Sequence, residues 1–104
     1  MRLKEFIASY YHQVFNSVEQ LAQLGDAREI DILTREILSD LWERKEQLDA
    51  DPRKGVFIIK AVLGHVFSYL KAHGEMAKME HLQKILLIHP GYYLLTKLKN
   101  EDSI

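Results

Sequence analysis

The stretch Val56-Phe57-Ile58-Ile59-Lys60-Ala61-Val62-Leu63-Gly64-His65-Val66-Phe67-Ser68-Tyr69-Leu70-Lys71 decides the fold. Its β-branched opening suits a strand. Its length, and the spacing of Ile59, Val62, Leu63, Val66 and Leu70, suit a helix covered over much of its circumference. No hairpin signal and no alternation of strands with helices occurs elsewhere in the chain. The helical reading therefore prevails, and the fold class is all-α: a compact bundle of four to five helices.

Working upstream, Asp49-Ala50-Asp51-Pro52 stops the preceding helix, because proline disfavours helical geometry in the residue before it. The loop Asp49–Gly55 then leads into the central helix. The stopped helix begins near Asp26 or Arg28, with an apolar stripe of Ile30, Leu33, Ile37, Leu38, Leu41, Trp42 and Leu48. Trp42 is expected to be mostly buried between the first three helices, with its indole N–H at a polar partner or the rim. Before it, Leu3, Phe6, Ile7, Tyr10, Tyr11, Val14, Phe15, Val18, Leu21 and Ala22 form one stripe on a helix of about twenty residues. Gly25-Asp26 is expected to end that helix, with glycine as the left-handed cap. Downstream, Gly74 ends the central helix, and Met76, Met79, Leu82 and Leu86 mark a fourth. His89-Pro90-Gly91 stops it, Tyr92–Leu98 suits a short fifth helix, and the tail after Asn100 is expected to fray. Residues 1–74 read as the main helical domain and 75–104 as an additional helical segment packed on it.

The composition agrees with one globular domain. The 104 residues are 47% hydrophobic and 28% charged, with only 5 Gly and 2 Pro, which excludes a disordered or low-complexity chain. With no cysteine, disulfides, thiolate metal sites and cysteine nucleophiles are excluded. The longest apolar runs are four residues, as in Ile85–Ile88, against the ~20 of a membrane span. Met1-Arg2-Leu3-Lys4-Glu5 lacks the apolar core of a signal peptide. A soluble, cytoplasmic protein with no membrane partner is the default expectation.

The net charge of −1 conceals an asymmetry. Residues 1–52 carry six Lys/Arg and eleven Asp/Glu; residues 53–74 carry Arg53, Lys54, Lys60 and Lys71 with no acid. An acidic front and a basic middle fit two partner surfaces, one of them meeting phosphates, or an ordinary mosaic surface.

Catalytic chemistry finds no foothold. His65, His73, His81 and His89 recur every eight residues, which rotates each about 80° from the last on a helix. None has the i, i+3 or i, i+4 partner of a helical metal site, so no metal and no cofactor is expected, and His65 reads as a satisfied histidine. Glu36 and Asp40 lie on an exposed helix face, where Asp40 can pair with Arg44. The serines lack any nucleophile-elbow context. An enzyme is not expected, and no catalytic residue is assigned.

The segment Ile32-Leu33-Thr34-Arg35-Glu36-Ile37-Leu38-Ser39-Asp40-Leu41-Trp42-Glu43-Arg44-Lys45 resembles the second conserved helix of region 2 of bacterial sigma factors of the extracytoplasmic-function type. Phe6–Phe15, with its Tyr10-Tyr11 pair, is similar to the family's first helix, and Ile59–Lys71, with Tyr69-Leu70, to its third. The distinctive matches are Leu41-Trp42-Glu43 and Tyr69-Leu70, and the resemblance spans about residues 3–73. It implies a protein of transcription initiation that docks on the clamp helices of RNA polymerase core through Asp31, Arg35, Glu36, Asp40 and Glu43, with Trp42 supporting from beneath. It also implies a −10 promoter DNA side on the loop before the third helix and on Arg53, Lys54, Lys60, Gly64, His65, Ser68 and Lys71. Cations without acids are what phosphate contacts require.

Departures from the family pattern are specific. The family has glutamine where Arg35 stands, Arg-Asn where Leu63-Gly64 stand, and Asp and Arg where Ser68 and Lys71 stand. Residues 75–104 resemble nothing in the family, and no region 4 helix-turn-helix follows in this sequence. DNA contact is therefore expected to be weak. The alternative is a degenerate sigma-like module without DNA recognition. Such a module would bind an anti-sigma-like regulator or form a homodimer through Met76–Ile88 and Tyr92–Leu98.

Overall fold

The Val56–Lys71 stretch is helical throughout. The computed structural model describes residues 2–88 and contains five helices there: α1 (Leu3–Ala22), α2 (Ala27–Glu43), α3 (Lys45–Ala50), α4 (Lys54–Ala72) and α5 (Met76–Ile88). No strand occurs among the described residues, and the architecture is an all-α bundle. The segment Tyr92–Leu98 and the tail after Asn100 lie outside the described residues.

α4 is the centre. It packs against each of the other four helices, and Val56, Ile58, Val62, Val66 and Leu70 are buried along it. By length and composition alone this helix is apolar enough to cross a membrane. Here its apolar residues face Val14, Val18, Leu33, Ile37 and Leu41 in one core. That burial is the main stabilising term, at about 25 cal/mol per Å² of apolar surface.

Two boundaries differ from expectation. The left-handed residue that ends α1 is Gln23, with φ of 53°, and not Gly25. Placing the reversal there tucks Leu24 into the core, and Asp26 then caps α2 by accepting a 2.9 Å bond from the Arg28 N–H. The second change divides the long helix expected between Asp26 and Asp49 at Arg44, with α3 continuing beyond. No glycine or proline marks the break. Instead the Arg44 guanidinium is held by both oxygens of Asp40 and lies 4.9 Å over the Phe57 ring, while Leu48 on α3 is fully buried.

The remaining breakers act where their chemistry requires. Asp51 accepts from the Arg53 N–H at 2.7 Å, which shapes a turn of only 51–53 before α4. The loop Asp49–Gly55 is thus shorter than expected, because Asp49 and Ala50 belong to α3 and Lys54 and Gly55 to α4. Gly74, at φ of 66°, terminates α4. α5 then lies against α4 and α1, with Leu82 buried and Met79 packed on the core.

Candidate functional site

α2 and α4 run antiparallel with a groove between them. Three contacts across it fix their register. The Tyr69 hydroxyl donates to Glu29 at 3.0 Å, His65 Nε2 bonds Asp40 at 2.9 Å, and Arg44 lies over Phe57. Near Arg44 the groove encloses about 470 Å³, lined by Asp40, Phe57, Lys60, Gly64, His65 and Ser68. Toward the other end it is lined by Glu29, Ile32, Glu36, Tyr69, Ala72 and His73. Residues from the acidic front and the basic middle of the sequence therefore share one groove.

The five residues assigned to polymerase divide into two sets. Arg35, Glu36 and Glu43 are exposed on α2, with Glu36 on the groove and Arg35 toward the cleft beside α1. Asp31 and Asp40 are half-buried and already engaged, so Asp40 is less open than the exposed face expected of it, while its expected pairing with Arg44 is present. Asp31 accepts from the Tyr11 hydroxyl and from Arg35. The Tyr11 bond, followed by Arg35, holds the Asp31 carboxyl below its ordinary pKa against the effect of burial, and the same bond raises Tyr11. For Asp40, burial pushes the carboxyl up, but the bonds from His65 and Arg44 outweigh it and the net direction is downward.

The residues assigned to DNA stay on or beside α4, and Lys60, Gly64, His65 and Ser68 line the groove together. Lys54, Lys60, Gly64, Ser68 and Lys71 are exposed on α4. Arg53 stands 4.0 Å from Asp51, and His65 is satisfied by Asp40. Tyr69 is raised, first by burial and then by its bond to Glu29. Acid thus lies beside the basic helix at two levels, a juxtaposition that the segment's own composition does not reveal.

Trp42 is half-buried rather than mostly buried. Its ring meets Phe6 edge-on, with centroids 5.4 Å apart, and Lys45 sits 4.3 Å over its other side. It borders a cleft of about 220 Å³ between α1 and α2, together with Leu3, Ile7, Tyr11 and Arg35.

Sequence reasoning missed Ile32, which is 50% exposed in the middle of the α2 edge. Its signal was positional: an isoleucine one step off the apolar stripe. Among the described residues no group of histidines and carboxylates is arranged to hold a metal ion. No family model, curated protein or solved structure matches this chain.

Proposed function

We propose that this chain is a sigma region 2-like protein of bacterial transcription that docks on RNA polymerase core through the exposed face of α2. The carrying observation is that Ile32, Arg35, Glu36, Ser39 and Glu43 fall on successive turns of one helix edge and are all exposed. A continuous edge with an apolar residue among charges suits a helix partner such as the polymerase clamp helices. Trp42, braced edge-on against Phe6, supports that edge from the α1 side.

Promoter DNA is a weak secondary partner in this reading. Lys54, Lys60 and Lys71 supply phosphate contacts, but Gly64 and Ser68 present no long donor to read a base. The Asp40–His65 and Glu29–Tyr69 bonds place acid beside the same helix. That pairing favours the second reading, a protein-binding module without DNA recognition, whose partner is an anti-sigma-like regulator or a second copy. Both readings place the protein in the cytoplasm.

The test is retention of purified RNA polymerase core by immobilised protein. Glu36→Lys/Glu43→Lys is the informative variant, because Asp40 also ties α2 to α4. Wild type retains core, and the double variant loses it with unchanged thermal stability, since exposed charges contribute little to folding. No retention by wild type, or equal retention by both proteins, overturns polymerase docking.

A further inference from the structure

The bundle neutralises some of its charges internally and leaves others in two facing rows. Asp31 pairs with Arg35, and Asp40 with Arg44 and His65. Glu36 and Glu43 on α2, and Lys60 and Lys71 on α4, are exposed and have no ion-pair partner among the described residues. Seven residues advance a helix by 700° and eleven by 1100°, each within about 20° of whole turns. Glu36 and Glu43 therefore share one edge of α2, with Glu29 close to it, and Lys60 and Lys71 share one edge of α4. The acidic row and the basic row border the same groove without meeting.

We propose that this α2–α4 face is a homodimer interface, with the acidic edge of each copy lying on the basic edge of the other. A two-fold axis along the groove produces this arrangement, because it exchanges α2 and α4 while keeping levels along the helices unchanged. The cross-groove contacts put Lys60 level with the Asp40–Glu43 turn and Lys71 level with the Glu29 turn. Each copy then pairs Lys60 with the partner's Glu43 and Lys71 with the partner's Glu29. Ile32, half-exposed on the acidic edge, comes down near the partner's Ser68 and Ala72. A two-fold axis across the groove instead stacks acid on acid, so the charges select one geometry.

Size sets the strength. Helices of 17 and 19 residues are about 25–28 Å long, and two side by side span about 20 Å, giving about 500 Å² per copy. A total of about 1,000 Å² is at the lower edge of specific interfaces. The dimer is accordingly weak, forms in the tens of micromolar range, and dissociates with salt. It covers Glu36 and Glu43, so dimerisation and polymerase docking exclude each other, although the interface itself is argued from charge placement and not from that docking.

Sedimentation of the full chain, with no other protein present, tests this. From about 5 to 500 µM at low salt the average mass of wild type rises toward twice that of the monomer, and ~0.5 M salt reverses it. Glu43→Lys alone and Lys60→Glu alone each place like charges together twice, and each weakens association by about tenfold or more. An equimolar mixture of the two restores it, because every pair is then opposite in sign. A wild type that stays monomeric overturns the proposal. So does undiminished association of the single variants, or a mixture that stays monomeric while both proteins are folded by circular dichroism.

Discussion

Asp40 on α2 and His65 on α4, 25 positions apart in the chain, are joined by a 2.9 Å hydrogen bond across the groove between their helices. The same Asp40 oxygen also accepts from the Arg44 guanidinium at 2.8 Å, and Arg44 Nε bonds the other oxygen. One carboxylate therefore fixes the α2–α4 register and anchors the break between α2 and α3.

That role has a pH signature. The net shift of Asp40 is downward, so its contribution is fully present above the unfolded value near 4 and is lost as pH falls through the lower folded value. Replacing Asp40 by Asn is expected to cost ~1 kcal/mol at pH 7, a figure kept small because the pair is partly solvated. The deficit relative to wild type shrinks below about pH 4. Urea unfolding of both proteins at pH 7 and pH 3 measures it.

Thr34 is fully buried on α2, and its hydroxyl has no hydrogen-bond partner among the described residues. Valine keeps the shape and removes the unpaired group, so Thr34→Val is expected to stabilise the fold by ~1 kcal/mol. Thermal unfolding reads this as a higher midpoint; a lower one would mean that the hydroxyl is satisfied in solution.

Trp42→Ala is expected to cost ~2–3 kcal/mol, below the 3–5 of a fully enclosed aromatic, because the ring is only half-buried against Phe6. Trp42→Phe should recover most of the loss. Chemical denaturation of the two variants side by side separates ring packing from the indole N–H.

Single-stranded DNA binding should be weak and insensitive to sequence. With Arg53 beside Asp51, Lys54, Lys60 and Lys71 supply about three phosphate contacts. Counterion release at ~0.7 per contact then gives roughly a twentyfold loss between 50 and 200 mM salt. Titrating −10-like and scrambled oligonucleotides at both salts checks the slope and the absence of preference.

The helical pattern was readable because it depends on local periodicity and on breakers such as Pro52 and Gly74. The end of α1 was not, because a buried Leu24 stabilises a left-handed Gln23 that no propensity favours. The split at Arg44 was likewise invisible, since Phe57 and Asp40, which hold that side chain, lie on other turns or other helices. Exposed candidates such as Glu36, Glu43 and Lys60 were legible from charge and helix phase. The engagement of Asp31 by Tyr11 and of Asp40 by His65 required the packing of α1 and α4 against α2.

Because α4 alone among the described helices touches all the others, its release is inseparable from global unfolding. The same helix is apolar enough to enter a bilayer or to seed aggregation once uncovered. Its exposure is thus governed by the lifetime of the native state. Amides of Ile58, Val62, Val66 and Leu70 should be the last to exchange with solvent. Any partner or mutation that slows unfolding guards the cell against this segment, whatever it does to binding.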